Sequence, residues 1–435
     1  MIRAAQAALT VAVIVLALTA LAADAHLAPK QSVVQLKPVS ADPNTSVSDV
    51  AFSPDGRSLA ALVTATDALP AGPTPAPVTA RTVELWNMRT GHLDWMFQDA
   101  HGHISHILFG PDGHTLVLLV ADTVELWDLR NHELIATLDA CPSGKNSCPD
   151  ERHDCHEYAG ECRDDLGYQQ AAFSPDGRTL AVSGHWSDSY DSVDIWDYRT
   201  RKLVNSFPTG LPNGLAATME PRSLHFSLDS AQLTGIGSVS GPDGAQDAVA
   251  TWDVQTGSLV TQTTFDLNRS VGAFDLSHDE RRLAITYNQQ RQPVVEIWQL
   301  ANGKIDTTLK YDVDDVGTLS FGLDDRTLAV AVDDNSIMLA DTTGHHPAAK
   351  LSGPPTLPFS LVNTAAISPD GRVIVGVTLD GIALLWELGS RQFIAAKNPQ
   401  CAGLCAYDGD MAFSTDSRLL ALARLNGVID IVRLQ

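Results

Sequence analysis

One short turn motif recurs eight times along the chain and leaves few folds open. Its clearest copies are Phe52-Ser53-Pro54-Asp55-Gly56-Arg57-Ser58-Leu59-Ala60 and Phe173-Ser174-Pro175-Asp176-Gly177-Arg178-Thr179-Leu180-Ala181. Phe109-Gly110-Pro111-Asp112-Gly113 and Ile367-Ser368-Pro369-Asp370-Gly371 match closely, and weaker copies centre on Asp229, Asp279, Asp324 and Asp416. All eight keep the Asp. Turn chemistry accounts for the residue types: Ser opens the turn, Pro presets φ at the second position, and Asp suits the third. Gly follows where the chain leaves with positive φ. Strand-forming residues flank each copy, so each reads as the tip of a β-hairpin.

A third strand follows each hairpin and ends in Trp beside acidic residues. Examples are Val83-Glu84-Leu85-Trp86, Val124-Glu125-Leu126-Trp127-Asp128, Val193-Asp194-Ile195-Trp196-Asp197 and Val295-Glu296-Ile297-Trp298. Trp252 and Trp386 close two more copies, while Ala340 and Val432 stand at the Trp position of the remaining two. So six of the eight Trp residues occupy one repeat position. Turns such as Thr90-Gly91, Thr256-Gly257 and Asn302-Gly303 then lead into a fourth strand. Four short antiparallel strands, with the turn Asp spaced 45 to 64 residues apart, are the signature of propeller blades.

The chain resembles the WD-repeat β-propellers, in their divergent bacterial form, over nearly its whole length after residue 45. The Gly-His dipeptide that usually opens such a repeat survives at best as Gly102-His103. The internal hydrogen-bond set of the eukaryotic members is therefore mostly missing, and apolar packing between sheets is expected to hold the blades. The expected fold is all-β, an eight-bladed propeller of four-stranded antiparallel sheets. A seven-bladed ring with one aberrant repeat is the alternative. The last repeat, Met411 to Leu434, supplies only three strands, which would leave an open edge. The strand candidate Gln31 to Lys37 has no hairpin partner of its own. It is expected to supply the outer strand of the last blade and close the ring.

Of 435 residues 44% are apolar, enough for a sizeable core, and the formal charge is −23. That acidity argues against nucleic acid as a partner, because phosphate binding needs a basic surface. Arg3 followed by an apolar run from Ala4 to Ala23, with A-x-A patterns at Ala20 to Ala22 and Ala23 to Ala25, reads as an export signal over residues 1–25. An uncleaved anchor in residues 4–23, which would tether the protein to the outer face of an inner membrane, is the other reading. Either places the propeller of residues 31–435 in a periplasmic or extracellular space. The six cysteines agree with an oxidising compartment. Cys141, Cys148, Cys155 and Cys162 lie in a polar insertion, residues 141–165, and Cys401 and Cys405 form a local pair. Disulfides within each group are expected.

Antiparallel strands alternate direction, so the first-to-second and third-to-fourth turns of every blade share one face. The second-to-third and blade-to-blade connections share the other, and the long connections fall almost entirely there. They include Thr64 to Arg81, Cys141 to Asp165, His185 to Asp191, Pro208 to Pro221, Gly237 to Asp247, Ser352 to Leu361 and Asn398 to Asp410. Insertions gathered on one face mark a binding face. On it, His185, Trp186 and Tyr190 are the candidate contact residues for a partner, with a Trp186 folded back onto a neighbouring blade as the bland reading. The acidic insertion is read as a solvated, stapled loop. His153, Cys155, His156 and Cys162 fit no established zinc spacing, so no metal is expected. No nucleophile elbow, H-E-x-x-H helix, phosphate loop or C-x-x-C-H occurs. The expectation is a non-catalytic exported platform, without cofactor, that binds a protein or envelope component. The alternative is a propeller enzyme (hydrolase, lyase or quinone-dependent dehydrogenase) with its site at the channel mouth.

Overall fold

The computed structural model describes residues 33–38, 45–66, 79–99, 104–139, 167–187, 190–209, 219–241, 244–264, 271–289, 292–313, 316–332, 336–343, 349–353, 362–378, 382–397, 407–424 and 427–434. The expected signal or anchor, Gly102-His103 and all six cysteines lie outside the described residues. Among the described residues no helix is long and apolar enough to cross a membrane.

Eight four-stranded antiparallel sheets form the eight blades of a β-propeller. Blade 1 is β2 (Thr45–Phe52), β3 (Ser58–Thr66), β4 (Thr79–Asn87) and β5 (Leu93–Asp99). Blade 2 is β6 (Ile104–Phe109), β7 (Thr115–Val120), β8 (Thr123–Asp128) and β9 (Glu133–Leu138). Blade 3 is β10 (Gly167–Phe173), β11 (Thr179–Ser187), β12 (Tyr190–Asp197) and β13 (Lys202–Pro208). Blade 4 is β14 (Met219–Phe226), β15 (Gln232–Gly241), β16 (Gly244–Asp253) and β17 (Leu259–Thr264). Blade 5 is β18 (Val271–Leu276), β19 (Arg282–Gln289), β20 (Gln292–Gln299) and β21 (Lys304–Lys310). Blade 6 is β22 (Val316–Phe321), β23 (Thr327–Val332), β24 (Ser336–Asp341) and β25 (Ala349–Ser352). Blade 7 is β26 (Val362–Ile367), β27 (Val373–Thr378), β28 (Ala383–Glu387) and β29 (Phe393–Lys397). Blade 8 takes β30 (Tyr407–Phe413), β31 (Leu419–Arg424) and β32 (Ile429–Arg433) from the end of the chain and β1 (Val33–Leu36) from its beginning.

The period of two along each strand builds the ring. Successive side chains point to opposite faces of a sheet, and each face meets a different neighbour. In β3, Ala60 and Leu62 join the core between blades 1 and 2, with Ile107 and Leu118. Leu59, Ala61 and Val63 join the core between blades 8 and 1, with Ala421 and Ile431. Eight such clusters stand at the eight blade junctions. Even the smallest contains seven buried apolar residues. At about 1.5–3 kcal/mol per buried large apolar side chain, this packing outweighs any single polar contact in the molecule.

The eight turn aspartates are all structural. In six blades the Ser hydroxyl donates to the Asp carboxylate at 2.6–2.7 Å, as from Ser53 to Asp55 and from Ser174 to Asp176. The same carboxylate accepts the backbone N–H two residues on, at 3.0 Å in Asp55. Gly110 and Gly322 replace the Ser in blades 2 and 6. There the hydroxyls of Thr115 and Thr327 reach the Asp instead, at 2.8 and 2.9 Å. The next residue has positive φ in every copy. Gly56, Gly113, Gly177 and Gly371 supply it freely, whereas Ser230, Glu280, Asp325 and Ser417 adopt it with a Cβ.

The Trp position has a partner the sequence reading missed. The indole N–H of Trp86, Trp127 and Trp298 donates to the Glu two residues earlier, at 3.1, 2.8 and 3.1 Å. The side-chain period of two puts both on one face of the strand. Where that acid is the shorter Asp194, its oxygens accept from the hydroxyls of Tyr168 and Ser206 instead, and the Trp196 indole N–H has no partner among the described residues. Opposite each of the six tryptophans the outer strand bulges by one residue, for example at Asp94, Ile135 and Val204. Blades 6 and 8, with Ala340 and Val432 at that position, pair in regular register with short four-residue outer strands. Bulges and brevity both discourage pairing with another chain, so every outer edge is blunted. Ala340 and Val432 thus occupy true repeat positions, and the seven-bladed alternative is excluded.

The ring closes as the sequence suggests. Val33, Val34, Gln35 and Leu36 pair with Val432, Ile431, Asp430 and Ile429. Asp430 is the polar centre of this seam. It accepts from the Gln35 amide at 3.2 Å and from the guanidinium of Arg424, and Arg424 and Asp430 are both 2% exposed. Removing one member of a buried ion pair strands the other in a dry site. Replacing Asp430 with Ala is therefore expected to lower stability by roughly 3–5 kcal/mol. Urea unfolding of wild type and variant measures it.

Candidate functional site

Two faces and a channel compete as the site. On the loop face the expected long loops of blades 3 and 4 are largely strand, and that of blade 1 is strand at both described ends, with residues 67–78 outside the described residues. The segment from His185 to Asp191 continues β11 and β12 to the register pair Ser187 and Tyr190. The segment from Gly237 to Asp247 continues β15 and β16 to Gly241 and Gly244, and Thr66 pairs with Thr79 in blade 1. Polar, β-compatible residues read as loop in the sequence because nothing in their pattern separates a solvated hairpin from a coil. Blade 4 has ten register pairs between its second and third strands, and blade 2 has six. Four extra pairs raise the tip about 13 Å at roughly 3.3 Å per residue. Blades 3, 4 and 5 are adjacent, and blade 5 extends to Gln289 and Gln292. Together they make a raised wall along one arc of this face, and blade 1, with nine register pairs, rises separately from it.

The three candidate contact residues fall within this wall. His185 and Asp191 are cross-strand partners at the base of the blade 3 hairpin, with Nδ1 and Oδ1 2.6 Å apart and side chains 15% and 3% exposed. The Asp191 carbonyl accepts from the Thr209 N–H, and the Thr209 hydroxyl donates to the Met219 carbonyl at 2.7 Å. So His185 belongs to a clamp that fixes the hairpin on blades 3 and 4. Trp186 sits in β11 and Tyr190 in β12, at the tip, and their side chains lie outside the described residues.

The channel is bordered by the inner strands, and a polar device joins neighbours there. The Asp49 carboxylate accepts from the Ile107 N–H at 2.9 Å, with His106 Nδ1 at 2.6 Å. At the same repeat position Thr318 accepts from the Ala365 N–H at 2.6 Å. Two residues further on, Asp275 accepts from the Phe321 N–H and Ser320 from the Ile367 N–H, at 2.6 and 3.1 Å. Burial pushes the Asp275 carboxyl up to about 6. In blade 4 the Ser223 hydroxyl lies 2.6 Å from His225 Nε2, and burial pushes that imidazole below its ordinary range. No group of three or more metal-ligating side chains exists among the described residues.

The opposite face consists of short turns and is rich in arginine. Arg follows the turn at six of eight blades: Arg57, Arg178, Arg281, Arg326, Arg372 and Arg418. Between blades 8 and 1 this face has a cleft of about 340 Å³ lined by Arg57, Arg89, Arg418 and Arg433. The turns of blades 4 and 5 bring Asp229, Asp279 and Glu280 near one another. Burial, with repulsion from the two aspartates, lifts Glu280 to about 7.

No family model and no curated protein sequence matches the chain. Among solved structures, the Dos1 propeller matches with a TM-score of 0.59 at 15% identity, over 89% of this chain and 93% of that one. At that identity the likeness shows the fold alone.

Glu280 has a defined pH signature. Its folded pKa lies above its ordinary 4.5, so the folded state holds a proton that the unfolded state releases between about 4.5 and 7. Its contribution to stability falls as pH rises through that window. Glu280→Gln is expected to stabilise the protein more at pH 8 than at pH 5, read from thermal melts at the two values.

Proposed function

We propose that this protein is an exported, non-catalytic relative of the WD-repeat propellers. It serves as a rigid platform and engages a protein or envelope component through its loop-rich face. The observation that carries this reading is the wall of extended hairpins on adjacent blades 3, 4 and 5. Ordered strands that rise above a packed ring hold their groups in place before a partner arrives, which lowers the entropy cost of binding. The outer strand of blade 2, β9, ends at Leu138 on the same face. Export rests on the basic and apolar character of residues 1–25 and on the two cysteine groups.

The test is to shorten the wall. Replacing residues 240–245 with Asn-Gly joins the register partners Val239 and Gln246 through a two-residue turn. The variant is expected to keep the wild-type melting temperature and to lose partners that the mature wild-type protein captures. Capture of the same partners at equal yield by both proteins would place recognition elsewhere.

A second reading, a hydrolase at the channel, rests on the Ser223 and His225 pair. A neutral imidazole hydrogen-bonded to a hydroxyl is the first requirement for an activated serine. It predicts that a fluorophosphonate probe labels the protein and that Ser223→Ala abolishes labelling. No labelling of the wild type removes this reading.

A further inference from the structure

The seam between the first and last blades has a feature that the platform reading does not use. It lies on the short-turn face, away from the hairpin wall. Two copies of one local geometry meet there. In blade 1 the Met88 N–H donates to the Arg57 carbonyl at 2.8 Å, which sets Arg89 beside the turn that bears Arg57. In blade 8 the Leu434 N–H donates to the Arg418 carbonyl at 2.9 Å, which sets Arg433 beside the turn that bears Arg418. The turns are joined across the seam by the Thr415 hydroxyl, which donates to the Pro54 carbonyl at 2.6 Å. The result is a cleft of about 340 Å³ lined by four arginines, with Met88 and Leu419 as its apolar lining. That volume lies within the range of about 300–1,000 Å³ usual for small-molecule sites.

The charge balance inside the cleft is what makes it unusual. The whole chain has a formal charge of −23, yet the cleft holds four Arg against two Asp. Both carboxylates, Asp55 and Asp416, are already engaged by the Ser hydroxyl and backbone N–H of their own turns. Their contacts to Arg57 and Arg418 are loose, at 3.6 and 3.7 Å. Arg89 and Arg433 have no carboxylate partner among the described residues. Four arginines lining one cleft offer positive charge from several sides, and an anion seated there accepts charge-assisted hydrogen bonds from them.

We propose that this cleft is a binding site for a small anion with two or more oxyanion groups, either phosphoryl groups or clustered carboxylates. Such a ligand spans the two blades, so its binding energy adds to the closure of the ring. Ligand bound only to the closed form stabilises it by mass action.

The test uses the mature full-length protein with sodium pyrophosphate and with sodium citrate, at constant ionic strength set by sodium chloride. Calorimetric titration is expected to show one saturable site for at least one of the two anions, with a matching rise in melting temperature. The tighter of the two identifies the source of the oxyanions. Arg89→Gln with Arg433→Gln, both exposed and outside the Asp-bearing turns, is expected to weaken binding about tenfold or more while leaving the ligand-free melting temperature unchanged. Arg178→Gln with Arg372→Gln, on the same face but outside the cleft, is expected to bind as wild type does. No saturable binding of either anion, or equal weakening in both double variants, overturns the proposal. Failure of this site leaves the hairpin wall untouched, because the two lie on opposite faces.

Discussion

Every blade depends on having a neighbour on each side. A strand whose alternate residues are all apolar, such as β3 with Leu59, Ala60, Ala61, Leu62 and Val63, has no solvent face to offer. One set must be covered by the next blade and the other by the previous one. An open row of such sheets would leave an apolar face bare at each end, and only a ring removes both ends. Apolar packing therefore supplies the bulk of the cohesion. The bridges between inner strands add about 0.5–1.5 kcal/mol each and contribute alignment more than strength. Thr318 and Ser320, which both reach backbone N–H groups of blade 7, align two strands that share no ladder. The polar seam at Asp430 has the same part in blade 8, where two distant stretches of chain must find one register.

Much of this architecture was legible because it is repeated. One Pro-Asp-Gly turn is a weak signal, while eight turns that keep its Asp, four of them the full Pro-Asp-Gly, at blade-length spacing specify the count, the strand order and the need for β1 to complete blade 8. The Trp position was equally visible, including its loss at Ala340 and Val432. What the repeat hid was the acid that matters. The Asp after Trp draws the eye, yet the indole partner is the Glu two residues before it, as in Glu84 and Trp86. The V-E-x-W spelling carried that signal, since a period of two puts the pair on one face. The outer-strand bulges were invisible, because one extra residue changes no pattern of residue types. The hairpin wall was misread as loop for a related reason. Strands that pair in solvent above the body have polar residues on both faces and lose the alternation that marks a half-buried strand. The seam cleft was out of reach altogether. Arg57 and Arg89 are 32 positions from each other and more than 300 from Arg418 and Arg433, and only ring closure brings them together.

The two faces divide chemistry as well as shape. Short turns leave one face with a ring of arginines close to its turn aspartates, while the extended hairpins belong to the other. The clamp made by His185, Asp191 and Thr209 shows how the wall is held. A buried carboxylate fixes the hairpin base, and the backbone of the next connection is tied to it. A scaffold of this kind has little freedom to reshape itself, so the proposed platform role would depend on what the wall presents.

The account stands or falls on closure of the ring by β1. Native-state hydrogen exchange measures it directly. The amides of β1 that pair with β32 should exchange only through the same large opening that exposes β31 and β32, with equal free energies of protection. Rapid exchange of the β1 amides while β31 and β32 remain protected would show that the beginning of the chain is not a strand of the last blade, and the closed ring would have to be abandoned.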